Sequence, residues 1–332
     1  MPNTHGSIRV GIIGCGVIGQ RMAQNMSEHD GFTVIKAYDH ATEARQKFAS
    51  LFPDITTCDS YEPLFNKADI DLLYIGTPPL AHAEYALRAA EQNLFVFCEK
   101  PLGVNQQTSQ DLISKMGSKP HGMNFVYSGA PAMHRAREVI HDGVLGTVIG
   151  ADINIAFSKW PRGWQENAGW LSQRDQGGFV REVGSHFAYL THLLLGTPRL
   201  EHPPLLHAYD DPGCEYLVQA QWETASGPVS FFGRAGGCRT DIVQMRILGT
   251  KACLLFDQWY QLYKETDQGL EPMLQAEEAT PKAAYHGQLN GLQHQYWNQE
   301  KRLADFVDGL LVQDLVEDML KSLRGSDPHS ER

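Results

Sequence analysis

The sequence predicts an α/β protein in two parts, an N-terminal doubly wound parallel sheet and a C-terminal α+β domain with mainly antiparallel strands. Three observations carry this reading. The N-terminal third alternates apolar strands with helices, a glycine turn Gly14-x-Gly16-x-x-Gly19 joins the first strand to the first helix, and the later chain carries alternating runs separated by Gly-bearing turns.

At 332 residues the chain suits two domains, placed at 1–124 and 125–323, with a disordered tail at 324–332 that ends in GSDPHSER. Hydrophobic residues at 42% and charged residues at 20% describe an ordinary globular composition. The net charge of -11 and the lack of any basic run exclude a nucleic-acid footprint. Six cysteines without a C-x-x-C pair read as reduced interior thiols of a cytoplasmic protein. The start MPNTHGS has no apolar core of a signal peptide, and no apolar run reaches the roughly 20 residues that span a bilayer, so no membrane is expected. No carboxylate-histidine cluster has ligand spacing, so no metal is expected.

IRVGII is a β-branched strand, and RMAQNMSEH beyond Gly19 is a helix with Met22 and Met26 inward. A second strand, FTVIKAYD, ends at Asp39, twenty residues past Gly19. Glycines let a backbone approach a pyrophosphate, a helix N-terminus supplies N–H donors, and the carboxylate binds ribose hydroxyls. This spacing predicts a dinucleotide site. An acid at that strand end repels a 2′-phosphate and favours NAD, while the nearby His40 and Arg45 leave NADP open. A helix near 43–51, strand DLLYIGT, a helix near 81–92, strand LFVFCEK, a helix near 106–116 and strand HGMNFVY complete the alternation.

Thr77-Pro78-Pro79 and Glu99-Lys100-Pro101 both leave carboxyl ends of strands, where an open α/β sheet binds its ligand. A lysine held partly desolvated against a positive nicotinamide ring gives up its proton more readily, so Lys100 could exchange a proton with an alcohol. A solvated lysine before proline is the plainer reading.

GGFVREVGSHFAYLTHLLLG, residues 177–196, is a helix with Val183, Phe187, Leu190 and Leu194 on one apolar stripe. Glu182 and His186 lie four apart beside that stripe, either as a hydrogen-bonded pair that fixes packing or as part of a site. Before it, APAMHRAREVIHDG is a helix, TVIGADINIAF a strand, and SKWPRGWQENAGWL gathers Trp160, Trp164 and Trp170 with Arg162. Such aromatic plates stack on sugar rings, and Arg162 or Arg181 could clamp a carboxylate or phosphate; a subunit contact is the alternative. Asn124, Tyr127 and Tyr189 complete the candidate substrate-side residues. EYLVQAQWET, GPVSFFGRAG, TDIVQMRILG and ACLLFDQWYQLY read as strands, and 293–323 as a helical region.

Taken together, the glycine turn Gly14-Cys15-Gly16-Val17-Ile18-Gly19, the turn Thr77-Pro78-Pro79-Leu80-Ala81-His82, Glu99-Lys100-Pro101-Leu102 and the segment 177–196 resemble the Gfo/Idh/MocA group of glucose-fructose oxidoreductases and inositol dehydrogenases. The resemblance implies a Rossmann domain followed by an α+β domain whose open sheet commonly forms the interface of a homodimer or homotetramer. It places the six residues of the glycine turn, Asp39, Thr77, Pro78, His82, Glu99 and Lys100 around the nucleotide. It makes Lys100 the catalytic lysine, often before a cis proline, and directs Glu182 and His186 toward the nicotinamide. Two departures stand out: Glu182 fills the family's aspartate place, and Tyr189 stands where many members have a second acid.

The expected function is therefore an NAD(P)-dependent oxidoreductase moving a hydride to or from a secondary alcohol or ketone of a sugar, cyclitol or related small polyhydroxy substrate, with Lys100, His186 and Glu182 as catalytic residues. An imine or enone reductase on the same scaffold and a non-catalytic nucleotide-sensing regulator are the alternatives.

Overall fold

Parallel strands covered on both faces must be apolar throughout, and Ile8–Ile13 (β1) is buried except at Arg9. The computed structural model describes residues 6–166, 168–210, 212–238 and 240–324. The chain forms two compact units, one comprising the chain to Gly129 with Tyr285–Leu310, the other Ala130–Ala284 with the chain from Leu311. The single cut expected after residue 124 thus gives way to a first unit that takes back a later segment.

In the first unit β1, β2 (Phe32–Tyr38), β3 (Thr56–Thr57), β4 (Leu72–Ile75), β5 (Phe95–Glu99) and β6 (His121–Asn124) make one parallel sheet in the order β3-β2-β1-β4-β5-β6. Helices α1 (Val17–Ser27), α2 (Thr42–Leu51), α3 (His82–Glu91) and α4 (Gln106–Met116) are the crossovers. This is the doubly wound dinucleotide-binding order, and its strand order reverses between β1 and β4. The sixth strand stops at Asn124, where a three-ten turn at Val126–Ser128 replaces the expected extension to Tyr127. The edge strand β6 is covered by the returning segment: Met123 N donates to Ala304 O at 2.8 Å and Gln295 Nε2 to His121 O at 2.9 Å. Gly129 and Gly287 are required there, because a Cβ on Gly129 would lie 2.0 Å from Gln288 N.

The second unit holds α5 (Pro131–His141), β7 (Val148–Phe157), a π-helical turn at Val180–Gly184, α6 (Ser185–Leu195), β8 (Arg199–Leu200), β9 (Leu205–Ala208), β10 (Glu215–Thr224), β11 (Gly227–Ala235), β12 (Ile242–Gly249), β13 (Cys253–Asp257), β14 (Gln261–Thr266) and β15 (Gly269–Pro272). Its nine-stranded sheet runs β15-β14-β13-β12-β7-β11-β10-β8, with β9 also on β10. All pairs are antiparallel except β7 with β11, so the sheet is mixed. One face is apolar through Ile153, Ile155, Val229, Phe231, Val243, Met245 and Ile247, all buried. The π turn packs on that face: a Cβ on Gly184 would touch Phe231 at 3.3 Å, and one on Gly233 would strike the Phe179 ring. The opposite face carries Asp152, Asn154, Gln219, Gln221, Ser230 and Arg234, none of them buried.

Two expected elements divide. ACLLFDQWYQLY is a hairpin of β13 and β14, because polar Asp257 and Gln258 break the strand. The final helical region is two helices, α7 (Pro281–Asn298) and α8 (Phe306–Arg324). The expected tail lies, from residue 325, outside the described residues. Among the described residues no helix is long and apolar enough to cross a membrane.

Candidate active site

In the first unit the glycine turn is fixed by backbone crowding at two positions and left open at the third. Gly14 has φ of +105°, and a Cβ on it would lie 2.5 Å from Gly76 O. A Cβ on Gly19 would lie 1.8 Å from Gly14 O, so strand and helix close on each other only through glycine. A Cβ on Gly16 would meet nothing within 4 Å. That opening sits at the N-terminus of α1, which has no side-chain cap and no acidic residue in its first turn. Its N–H donors and dipole therefore favour an anion there.

Asp39, at the carboxyl end of β2, accepts from Cys15 N at 2.8 Å and Ala41 N at 2.9 Å. These bonds hold the carboxylate still beside the turn. Arg45 donates to Asp39 O at 2.7 Å and lies over Tyr38. Burial, with Asp39 adding to it, pushes the Cys15 thiol up to about 12, so Cys15 stays neutral and contributes its backbone. At the end of β4, Thr77 Oγ1 is buried without a hydrogen-bond partner among the described residues. An open cradle, an unsatisfied hydroxyl and an anchored carboxylate at one switch point fit a dinucleotide.

Two adjacent strand exits are tied together. His82 is fully buried, with Nδ1 at 2.9 Å from Pro101 O and Nε2 at 2.8 Å from Thr77 O. Burial lowers its pKa, and a neutral ring has one N–H to share between the two carbonyls. His82 therefore reaches a nucleotide only through the turns it joins, not by the direct contact expected from the sequence. Glu99 accepts from Tyr74 Oη at 2.6 Å and from Asn124 Nδ2. Burial, then the Glu99 charge, raises the Tyr74 pKa, so the phenol remains a donor. Lys100 follows, half-buried, and the Lys100–Pro101 peptide is cis. Asn124 is thus committed to Glu99, and Tyr127 is fully enclosed, which removes both from the substrate-side surface expected of them.

In the second unit the charged residues of 177–196 have three different fates. From Gly177 to Thr191 every residue is buried except Glu182 and His186. Gln165 Nε2 donates to Glu182 Oε1 at 3.0 Å, Arg162 Nε to Gln165 Oε1 at 2.9 Å, and Arg162 Nη2 lies 3.5 Å from Glu182 Oε1. The guanidinium sits near the rings of Trp164 (4.7 Å), Phe157 (5.3 Å), Trp160 (5.7 Å) and Trp259 (6.0 Å). The His186 ring meets Trp259 edge to face at 5.5 Å. Arg162 is therefore a partner for Glu182 inside an aromatic box rather than a clamp for an anion. Trp164 is exposed, whereas Trp160 packs inward and donates to Leu171 O at 3.0 Å.

Arg181 and Tyr189 leave the candidate surface altogether. Arg181 donates from Nε and Nη2 to Glu317 at 2.6 and 3.0 Å, and from Nη1 to Arg174 O and Gly177 O, both at 2.8 Å. Tyr189 is buried. The guanidinium makes Arg181 a candidate clamp and the family resemblance points to Tyr189, but the π turn and the charge on Glu317 draw Arg181 inward. Sequence reasoning missed Gln165, which carries no signal of its own, and Trp259, whose signal was the polar break in FDQWYQ.

Glu215 supports the same turn from below. Its Oε1 accepts from Val180 N at 2.8 Å, and Gly178, at φ of +97°, has no room for a Cβ against its Oε2. Burial raises its pKa from 4.5 to about 7, against the pull of Arg181. The folded chain then keeps a proton that the unfolded chain has released between about pH 4.5 and 7. The contribution to stability is whole below 4.5 and is lost as pH rises through 7, by about 3 kcal/mol at most. Glu215→Gln keeps the acceptor for Val180 and should flatten this decline, read as urea midpoints at pH 5.5, 6.5 and 7.5. An unchanged slope would remove Glu215 as its source.

Strand order, glycine turn and anchored Asp39 define a dinucleotide-binding Rossmann unit. Residues 8–121 match the Gfo/Idh/MocA family model, described as an oxidoreductase family with an NAD-binding Rossmann fold. An uncharacterized oxidoreductase of Streptococcus pneumoniae is 27% identical over 183 residues, 52% of this chain and 46% of that protein. D-xylose 1-dehydrogenase (NADP(+)) 2 of Haloferax volcanii is 29% identical over 191 residues, 57% of each. The chain spans about half the length of the first of these relatives. A levoglucosan dehydrogenase solved with NADH and levoglucosan superposes with a TM-score of 0.83 at 18% identity, over 96% of this chain and 97% of that one, which shows a shared fold.

Proposed function

We propose that the protein is a cytoplasmic NAD(P)-dependent dehydrogenase or reductase acting on a secondary alcohol or ketone of a sugar, cyclitol or related small polyhydroxy compound. The observation that carries this reading is the position of Lys100. It leaves β5, next to the strand that ends at the switch point, and Tyr74, Asn124 and His82 hold its flanking backbone through Glu99 and Pro101.

Gly16 and the N-terminus of α1 would hold the pyrophosphate, Thr77 Oγ1 would meet a polar group of the nucleotide, and Asp39 would accept from ribose hydroxyls. The bound nicotinamide supplies the hydride donor or acceptor. Lys100 would exchange the proton at the substrate oxygen, and His186 is the proton-transfer candidate of the second unit. Glu182, held by Gln165 and balanced by Arg162, accepts from substrate hydroxyls. Because Arg162 already faces a carboxylate, this cluster favours a neutral substrate over an anion. The same reading includes a homodimer or homotetramer through the open face of the nine-stranded sheet.

The names of the relatives support the reading: one is a sugar dehydrogenase and another was solved with an anhydrosugar. The test is a panel of sugars, cyclitols and ketoses with NAD and NADP, followed at the absorbance of the reduced nicotinamide. Turnover of a neutral polyol supports the proposal. Turnover of amine-carbonyl mixtures alone would make the protein an imine reductase, and tight nucleotide binding with no turnover would make it a sensor.

A further inference from the structure

The hairpin between β13 and β14 is strained where it presents its largest side chain. Gln258 and Trp259 hold φ of +45° and +76°, a region that favours glycine and disfavours a bulky residue. The bonds of the turn do not call for tryptophan: Gln258 N donates to Val243 O, Tyr260 N to Gln258 O, and Gln258 Nε2 to Asp241 O. Glycine and asparagine adopt such a turn without penalty.

What the left-handed backbone achieves is the placement of one indole. Its ring lies 5.5 Å from the His186 ring with the planes at 88°, and 5.8 Å from Phe187 at 42°. The Arg162 guanidinium, which pairs with Glu182, lies 6.0 Å from the same ring. A single side chain from the sheet thus borders His186 and the arginine that pairs with Glu182, the two polar groups that the segment 177–191 leaves unburied being His186 and Glu182. Edge-to-face aromatic contacts have a preferred geometry, so such a ring restricts how an imidazole can turn.

We propose that Trp259 is a positioning residue for His186: the strained hairpin holds the indole against the imidazole and fixes the orientation in which His186 meets substrate. Phe187, fully buried on the next position of α6, keeps the indole from sliding along the helix. The Arg162 guanidinium lies 6.0 Å from the ring centroid, so the ring also limits movement of the Arg162–Glu182 pair. The catalytic part of this inference rests on the function proposed above; the orientation of the ring does not.

Trp259→Gly is the informative variant, since glycine takes the positive φ freely and the hairpin can close without the indole. The His186 ring resonances, assigned by their loss in His186→Ala, should move in Trp259→Gly because the ring current is gone, and return toward their original positions in Trp259→Phe. With a substrate in hand, kcat should fall about tenfold in Trp259→Gly while KM changes by less than about threefold, and Trp259→Phe should restore most of kcat. Unmoved His186 resonances, or a phenylalanine variant indistinguishable from the glycine one, would overturn the proposal. The resonance measurement needs no turnover. A His186→Ala protein that keeps full activity would therefore overturn the catalytic role of His186, while shifted resonances would still uphold the placement by Trp259.

Discussion

Lys100→Met is expected to lower turnover by about two orders of magnitude or more while nucleotide affinity stays within about twofold of the unsubstituted protein. The substitution keeps a long unbranched side chain, with sulfur in place of one methylene, and removes the ammonium group. The backbone on either side is held by groups the change does not touch: Glu99 through Tyr74 and Asn124, Pro101 through His82. The nucleotide cradle at Gly14, Gly16, Gly19 and Asp39 lies on β1, α1 and β2, apart from Lys100 in sequence and in strand. A loss confined to kcat thus reads as loss of proton transfer. Nucleotide titration by fluorescence together with steady-state rates decides it: unchanged turnover would remove Lys100 from the chemistry, and a parallel loss of nucleotide affinity would make it a binding residue.

The nucleotide end of this protein was legible in the sequence because its requirements are local. A glycine turn, a strand end and an acid twenty residues on are spacings along one chain, and backbone crowding at Gly14 and Gly19 leaves no other residue for those places. The substrate end was less legible because partners there come from distant segments. Arg162 and Arg181 look alike in sequence, yet Gln165 and Glu182 take the first and Glu317 takes the second. Asn124 reads in the sequence as a candidate substrate-side residue, yet Glu99, on the neighbouring strand, claims it. Trp259 sits in a turn that ordinary propensity gives to glycine, so a rule about turns would pass over it. In each case a nonlocal charge or ring decides the side-chain direction, which residue type and spacing do not encode.

That same nonlocality makes Arg181 a sensitive residue for stability. Arg181→Met is expected to cost about 3–5 kcal/mol, because it removes the guanidinium that pairs with the Glu317 carboxylate and donates to two backbone carbonyls. The Arg181 side chain is 3% exposed and that of Glu317 13%, so solvent screens the pair little. Removing the positive charge also takes away a group that lowers the Glu215 pKa, so the decline of stability from pH 5.5 to 7.5 should steepen. Replacing both partners, Arg181→Met with Glu317→Leu, should recover a large part of the loss, since burying two apolar side chains is far less costly than burying a carboxylate that has lost this guanidinium. Urea unfolding of the two variants at pH 7.5 distinguishes the cases. A single substitution costing under about 1 kcal/mol would mean that Glu317 finds water or another cation, and the buried anchor beneath the turn that carries Glu182 would then lie elsewhere.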